Sequence, residues 1–292
     1  MTTFLQLTVN GAGRGAVYAL LALGFVIIFR ATGVVNFAHG SFVFLGGYVT
    51  YVASDSLGFA GAAALGVATA AIGALLIERF LIARTRLADP ISLALLTIGV
   101  DVIITEDIAR RLGTETPFLS PPFAGDVVRI GDVTILSGQL VAIAVSAVLI
   151  GTLLLAFRYT GWGLSMRAQA ENREAASLMG IRNSQVTASA WVVAGALAGI
   201  AVLFLATQDF SGAGLSRGTH ALALVAFPAA IIGGLDSVGG AVFGGLVVGL
   251  TEAYAAQYIS FDFSKSAVYL VMLVILVAVP SGLFGSKDVN RV

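Results

Sequence analysis

Apolar segments long enough to cross a bilayer succeed one another along nearly the whole chain, and that succession restricts the fold more than any motif does. A membrane helix needs about 20 mostly apolar residues. By that criterion, crossings are expected near 12–29, 37–53, 59–83, 91–109, 139–157, 185–207, 238–256 and 266–283. A further run, 221–232, is shorter, contains Pro228 and ends at Gly233-Gly234. It reads as a broken or re-entrant helix. Pro228 removes a backbone donor, and such backbone is tolerated at membrane depth only where protein or a water cavity covers it.

The chain is 58% hydrophobic and 11% charged, against about 25% charged in an ordinary soluble domain. One soluble core could not hide that much apolar surface. The expected fold is therefore all-α, a polytopic transmembrane helical bundle with broken or re-entrant helices, in which residues 1–292 form a single domain. The 35 glycines suit close helix packing in lipid. A formal net charge of zero argues against a nucleic-acid partner. The absence of cysteine excludes disulfide and thiolate chemistry, and with His39 and His220 as the only histidines, neither a metal site nor a cofactor is expected. Met1-Thr2-Thr3 lacks the basic start of a cleaved leader, so the first apolar segment is expected to be retained.

If the N-terminus lies outside and every segment crosses, Arg30, Arg79, Arg84, Arg86, Arg158, Arg167, Arg173, Arg182, Lys287 and Arg291 fall inside. Arg14, Arg110, Arg111, Arg129, Arg217 and Lys265 fall outside. That follows the positive-inside rule; Glu106, Asp107 and Glu115 offset the outer Arg110-Arg111 pair. The chief outer loop is then 112–138. Its two β-prone runs, 127–130 and 133–136 around Gly131-Asp132, suggest a surface hairpin, either a docking ledge or a cap over helix ends.

The most polar interruption, 158–183, separates two strongly apolar segments. Gly161 and Gly163 break the preceding span, a helix is expected over 164–179, and Gly180 is placed to stop it. Arg167 and Glu171 stand four apart, within reach of one ion pair. Glu174-Ala175-Ala176 and Ala168 supply a small-residue surface that a soluble partner can grip, unless the helix is an ordinary solvated one. Energy coupling, and hence transport, is the first functional hypothesis.

The chain resembles the permease subunits of bacterial branched-chain amino-acid ABC importers. The resemblance runs nearly end to end. It rests on Gly24 to Tyr48 with Val35-Asn36-Phe37-Ala38-His39-Gly40, on Glu78-Arg79, and on Met166-Arg167-Ala168 through Gly180-Ile181. Further matches are Ala226-Phe227-Pro228-Ala229-Ala230-Ile231-Ile232-Gly233-Gly234, Gly244-Gly245 to Glu252, and Val279-Pro280-Ser281-Gly282-Leu283-Phe284-Gly285. It implies a multi-pass subunit of the bacterial inner membrane, working by alternating access with two ATP-binding cassette subunits, a second homologous permease and an external solute-binding protein. It also implies that Arg167, Glu171, Glu174, Ala175, Ala176 and Gly180 couple the chain to the ATPase. A phosphate-binding loop needs a lysine after glycine. Lys265 and Lys287 are the only lysines and neither follows one, so no ATP chemistry is expected here and the chain is not itself read as an enzyme. A branched-chain amino acid is the leading substrate; urea, short amides and other small polar solutes belong to related importers.

Candidate pathway residues are Asn36, His39, Asp101, Phe227, Gly233, Gly234 and Glu252. Asn36 and His39 can hydrogen-bond a solute or the freed backbone of a helix break; the bland reading of His39 is a buried ring satisfied by a carbonyl. Gly233-Gly234 leads to Asp236 and Ser237, either of which can cap the next helix. The family usually has a neutral residue at Asp236 and a proline at Gly239. Asp101 and Glu252 are membrane acids, costly unless functional or paired. Glu252 fits the family pattern and Asp101 does not. A secondary, ion-coupled transporter using these two carboxylates is the alternative function, and a structural or assembly protein without a conducting route is a third. Gly195-x3-Gly199, Gly240-x3-Gly244 and Gly245-x3-Gly249 read as close-packing patterns inside the subunit.

Overall fold

In lipid, a chain must satisfy its backbone internally, so each apolar segment closes its hydrogen bonds as a helix. A computed structural model describes residues 2–85, 89–130, 133–210 and 214–286. Arg86, Gly131, Asp132, Lys287 and Arg291, which entered the expectations above, lie outside those residues. The helices are α1 (Thr2–Thr32), α2 (His39–Phe80), α3 (Pro90–Leu112), α4 (Ser137–Tyr159), α5 (Gly161–Glu171), α6 (Arg173–Leu178), α7 (Asn183–Leu205), α8 (Arg217–Gly233), α9 (Val238–Tyr258) and α10 (Ser264–Ala278). The expected hairpin is present as antiparallel β1 (Val127–Ile130) and β2 (Val133–Leu136). The fold is an all-α polytopic bundle. Among the described residues, five helices, α1, α2, α4, α7 and α9, are long and apolar enough to cross a membrane; α3 is long but carries Asp101, Glu106 and Asp107, while α8 and α10 are shorter.

The expected second and third crossings are the two arms of α2. Gly58, at φ 66° and ψ 167°, reverses the chain in a single residue, a conformation open to glycine. The arms, 39–57 and 59–80, run back along each other: a Cβ on Gly46 would contact both Ala70 and the Gly66 carbonyl. Helix α7 lies across both arms, with Gly199 against Val67 and Gly195 against Ala70 and Ala71. Helix α1 is the buried centre, Val17 to Leu23 being essentially inaccessible. It lies on α9, where Gly245 and Gly249 meet Ala19 and Gly15. Gly240 and Gly244 meet Gly233 and Ala229 of α8. All three glycine patterns pack inside the chain.

Two expectations change. The run around Pro228 is not broken: α8 begins at Arg217, capped by the Ser216 hydroxyl, and passes through Pro228 to Gly233. Its polar first turn (Arg217, Thr219, His220) hides that start from a hydropathy reading. Gly214 and Leu215, just before it, lie against Thr116 and Pro117. Asp236, just after it, shares a cavity with Arg30 and Arg167. Helix α8 therefore connects opposite ends of the bundle. The helix expected over 164–179 is two helices, because the Asn172 side chain accepts the Glu174 and Ala175 N–H groups and starts α6 afresh. Gly180 does stop it, at φ 86° with the Ile181 N–H returning to the Ala176 carbonyl.

Candidate functional site

The connection 33–38 between α1 and α2 carries polar groups into the middle of the bundle, and two neighbouring helices hold it. From α3, the Thr97 hydroxyl accepts the Phe37 N–H at 3.0 Å and Asp101 accepts the Ser41 N–H at 3.1 Å. From α8, His220 Nε2 lies 3.0 Å from both Asp101 oxygens. Helix α3 is positioned for this by its Asp89 cap, whose carboxyl is held below the usual carboxylate range by the Ser92 N–H. Asp101 is thus paired inside the chain, between an imidazole and a helix-start amide.

Around this pair the buried polar groups are incompletely used. The Asn36 carbonyl oxygen accepts the Ala38 N–H, as expected of a helix break. Its amide nitrogen, and both ring nitrogens of His39, have no hydrogen-bond partner among the described residues. The carbonyl partner expected for His39 is not there. Its ring instead lies tilted against Phe25, with centroids 4.6 Å apart, and so close to Gly24 that no Cβ would fit there. Phe227 of α8 completes the cluster, with its ring 5.5 Å from Phe25 and 5.7 Å from Phe37. Buried polar groups normally find partners, so these open donors and acceptors beside an aromatic wall are groups that a small polar solute could engage once the packing around them opens. Asn36, His39, Asp101 and Phe227 are brought together.

The other pathway candidates lie elsewhere. Glu252, buried in α9, accepts the Tyr18 hydroxyl at 2.6 Å and pairs with Arg14 at 3.4 Å; it fastens α9 to α1. Gly233 and Gly234 close the α8–α9 joint. Leu283 and Phe284 donate their N–H groups to the Ile232 and Gly233 carbonyls, and Asp236 accepts the Ser286 N–H at 2.9 Å. Ser237, rather than Asp236, caps α9.

The coupling candidates sit on α5 and α6. Arg167, Glu171, Glu174, Ala175 and Gly180 are exposed, whereas Ala176 is 4% exposed and turned away from any partner. No ion pair joins Arg167 to Glu171; the guanidinium donates instead to the Phe157 carbonyl at the end of α4. The buried Gln169 amide donates to the Ala31 carbonyl near the end of α1 and to Thr187. Leu178 and Met179, at the tip of this polar segment, are 84% and 83% exposed.

Sequence reasoning passed over several of these residues. Thr97 and Thr105 flank the candidate Asp101 at four-residue spacing, a stripe on one helical face, and that signal was available. The partners His220, Arg14 and Tyr18 are distant in sequence and left no local trace.

Residues 7–280 match the family model described as branched-chain amino acid transport system / permease component. The chain is 29% identical to the high-affinity branched-chain amino acid transport system permease protein LivH of Salmonella typhimurium, over 99% of this chain and 98% of the relative. It is 27% identical to the corresponding permease protein BraD of Pseudomonas aeruginosa, with the same coverage. A probable LivH of Methanocaldococcus jannaschii is 27% identical over 91% of this chain and 88% of its own length. No solved structure gives a significant match.

Proposed function

The chain belongs to the family of permease components of branched-chain amino acid transport systems, a multi-pass membrane protein rather than an enzyme, and on that premise we propose that it is the membrane subunit of an ATP-driven importer in the bacterial inner membrane. The substrate is a branched-chain amino acid, delivered from outside by a solute-binding protein. Two ATP-binding cassette subunits hydrolyse ATP on the α5–α6 side, and a second homologous permease completes the pathway. The α5–α6 side is then the cytoplasmic one, and the 112–138 loop is external.

One observation carries the reading. A polar helical pair packs on the end of the bundle through Met166, Gln169 and Ala176 and turns outward an apolar tip, Leu178 and Met179, more exposed than most of the lipid-facing side chains. It is also wired to the centre. Helix α5 holds the Phe157 carbonyl through Arg167 and the Ala31 carbonyl through Gln169. A push on α6 therefore moves the end of α1, and the residues that follow it carry Asn36 and His39. Alternating access follows if that motion loosens the contacts of Thr97 and Asp101 with the start of α2, so that the polar cluster faces one side at a time. The two sets of contacts are a two-state element of the kind a partner's binding energy can bias. The ion-coupled alternative is weakened because both of its carboxylates are engaged, Asp101 by His220 and Glu252 by Arg14 and Tyr18.

The test is to tag the chain, purify it gently from its native membrane and identify what accompanies it. An ATPase and a second permease are expected. Recovery alone, under conditions that keep a known importer intact, would overturn the proposal.

A further inference from the structure

A cavity of about 560 Å³ opens on the α5–α6 side, between the end of α1, helix α5 and the α8–α9 joint. Its lining reaches Gly33, three residues before Asn36. Its charges are mixed. Arg30, Arg167 and Arg173 line it together with Glu171 and Asp236, and no ion pair joins these groups among the described residues. The Arg30 Nε is buried without a hydrogen-bond partner, while the guanidinium rests over the Phe157 ring at 5.9 Å. Gln169, 4% exposed, spends its amide nitrogen on Ala31 and Thr187 and leaves its buried Oε1 unpartnered in the same wall. Phe29, Ala31 and Ala170 supply apolar lining.

A guanidinium matches a carboxylate in geometry as well as charge, and Glu171 and Asp236 offer the same cavity the opposite sign. A ligand matched to this mixed-charge lining would carry one negative and one positive group with a short apolar body between them. We infer that this cavity is a second small-molecule site, which takes a zwitterionic amino acid with an apolar side chain, its carboxylate on Arg30 and its ammonium toward Glu171 and Asp236. The inference rests on the transport reading above and deepens it: the ligand is the delivered product. Once seated, it ties the end of α1 to α5 and to the α8–α9 joint. Those are the parts that must move when a partner pushes on α6, so product accumulating on this side slows further import.

The experiment uses the complete complex in vesicles, with the α5–α6 side and ATP inside and the solute-binding protein outside. Initial uptake of labelled leucine is compared between empty vesicles and vesicles preloaded with millimolar leucine, leucinamide or 4-methylvalerate. Preloaded leucine is expected to slow uptake several-fold, whereas the two analogues, each lacking one charge, have little effect. Arg30→Gln is expected to retain uptake into empty vesicles and lose the sensitivity. Ala170→Trp, which fills the cavity without touching a charge, is expected to do the same and decides the matter if Arg30→Gln does not assemble. Equal rates with and without internal leucine would overturn the inference while leaving the importer intact. Persisting inhibition in a well-assembled variant would move the site elsewhere. Inhibition by 4-methylvalerate alone would mean a simple anion site, open equally to a lipid headgroup or phosphate, and not the one inferred. ATP-dependent uptake missing even from empty vesicles would remove the transport reading itself, and this inference with it.

Discussion

Leu178→Ala with Met179→Ala removes the apolar tip of α6 and leaves its backbone and charges in place. Each substitution deletes three heavy side-chain atoms, worth about 0.8 kcal/mol apiece when moved from water into a packed interface. Since 84% of Leu178 and 83% of Met179 are exposed, nearly all of that surface is available to a partner, giving about 2 kcal/mol per residue under full coverage. Partial coverage halves it. The pair should therefore cost about 2–4 kcal/mol, a roughly 30- to 700-fold rise in the Kd for the isolated ATPase subunit. The assay is titration of labelled ATPase onto the permease in lipid nanodiscs, with nucleotide state held constant. Val277→Ala on α10 is the control, because Val277 is 86% exposed yet belongs to the lipid-facing surface; its affinity should not change. Unchanged affinity for the Leu178/Met179 variant, or an equal loss for Val277→Ala, would refute the claim that the tip of α6 is the docking point.

Glu252→Gln leaves Arg14 without its counter-charge while keeping a partner for Tyr18. Because Arg14 is partly exposed, the cost should fall below the ~3–5 kcal/mol of a fully buried pair, lowering the melting temperature in detergent by several degrees while leucine uptake persists; lost uptake at an unchanged melting temperature would put Glu252 back on the solute route. Asp101→Asn, His220→Gln and the double variant form a cycle in which an interaction energy of about 1–3 kcal/mol is expected from denaturant unfolding, and simple additivity would show that the pair does not hold α3 to α8. Gly245→Ala places a Cβ 2.6 Å from the Ala19 Cα and should destabilise by about 1–3 kcal/mol. Gly151→Ala, with nothing within 4 Å, should be neutral or gain up to ~1 kcal/mol from helix propensity; calorimetry giving the same shift for both would contradict the α1–α9 packing.

Much of the fold could be read from residue order because a bilayer leaves few choices. Segments near 20 apolar residues must be helices, and glycines spaced four apart on them mark where backbones meet. The hairpin at 127–136 and the stop at Gly180 were legible for similar local reasons. The errors arose where a polar residue begins a helix. Ser216 starts α8 ahead of the apolar run and Asn172 restarts the chain between α5 and α6, both through side-chain caps to which hydropathy is blind. The site was legible in its types and not in its pairings. Asn36, His39 and Asp101 announced themselves as polar groups at apolar depth, but that His220 answers Asp101 and that Tyr18 and Arg14 answer Glu252 follows only from how distant helices cross. Gly233 and Gly234 were expected on the solute route from their glycine pair alone, and that residues 282–285 of the same chain pack on them follows only from the fold.

The single-residue reversal at Gly58 also has a mechanical meaning. A connection with no slack denies the two arms of α2 any rotation or sliding relative to one another, and α7, seated across both through Gly46, Gly195 and Gly199, clamps them further. These three rods form a strut. Under the alternating access proposed above, a change of shape would pass around it, through the joint at 33–38, with the strut as the fixed wall.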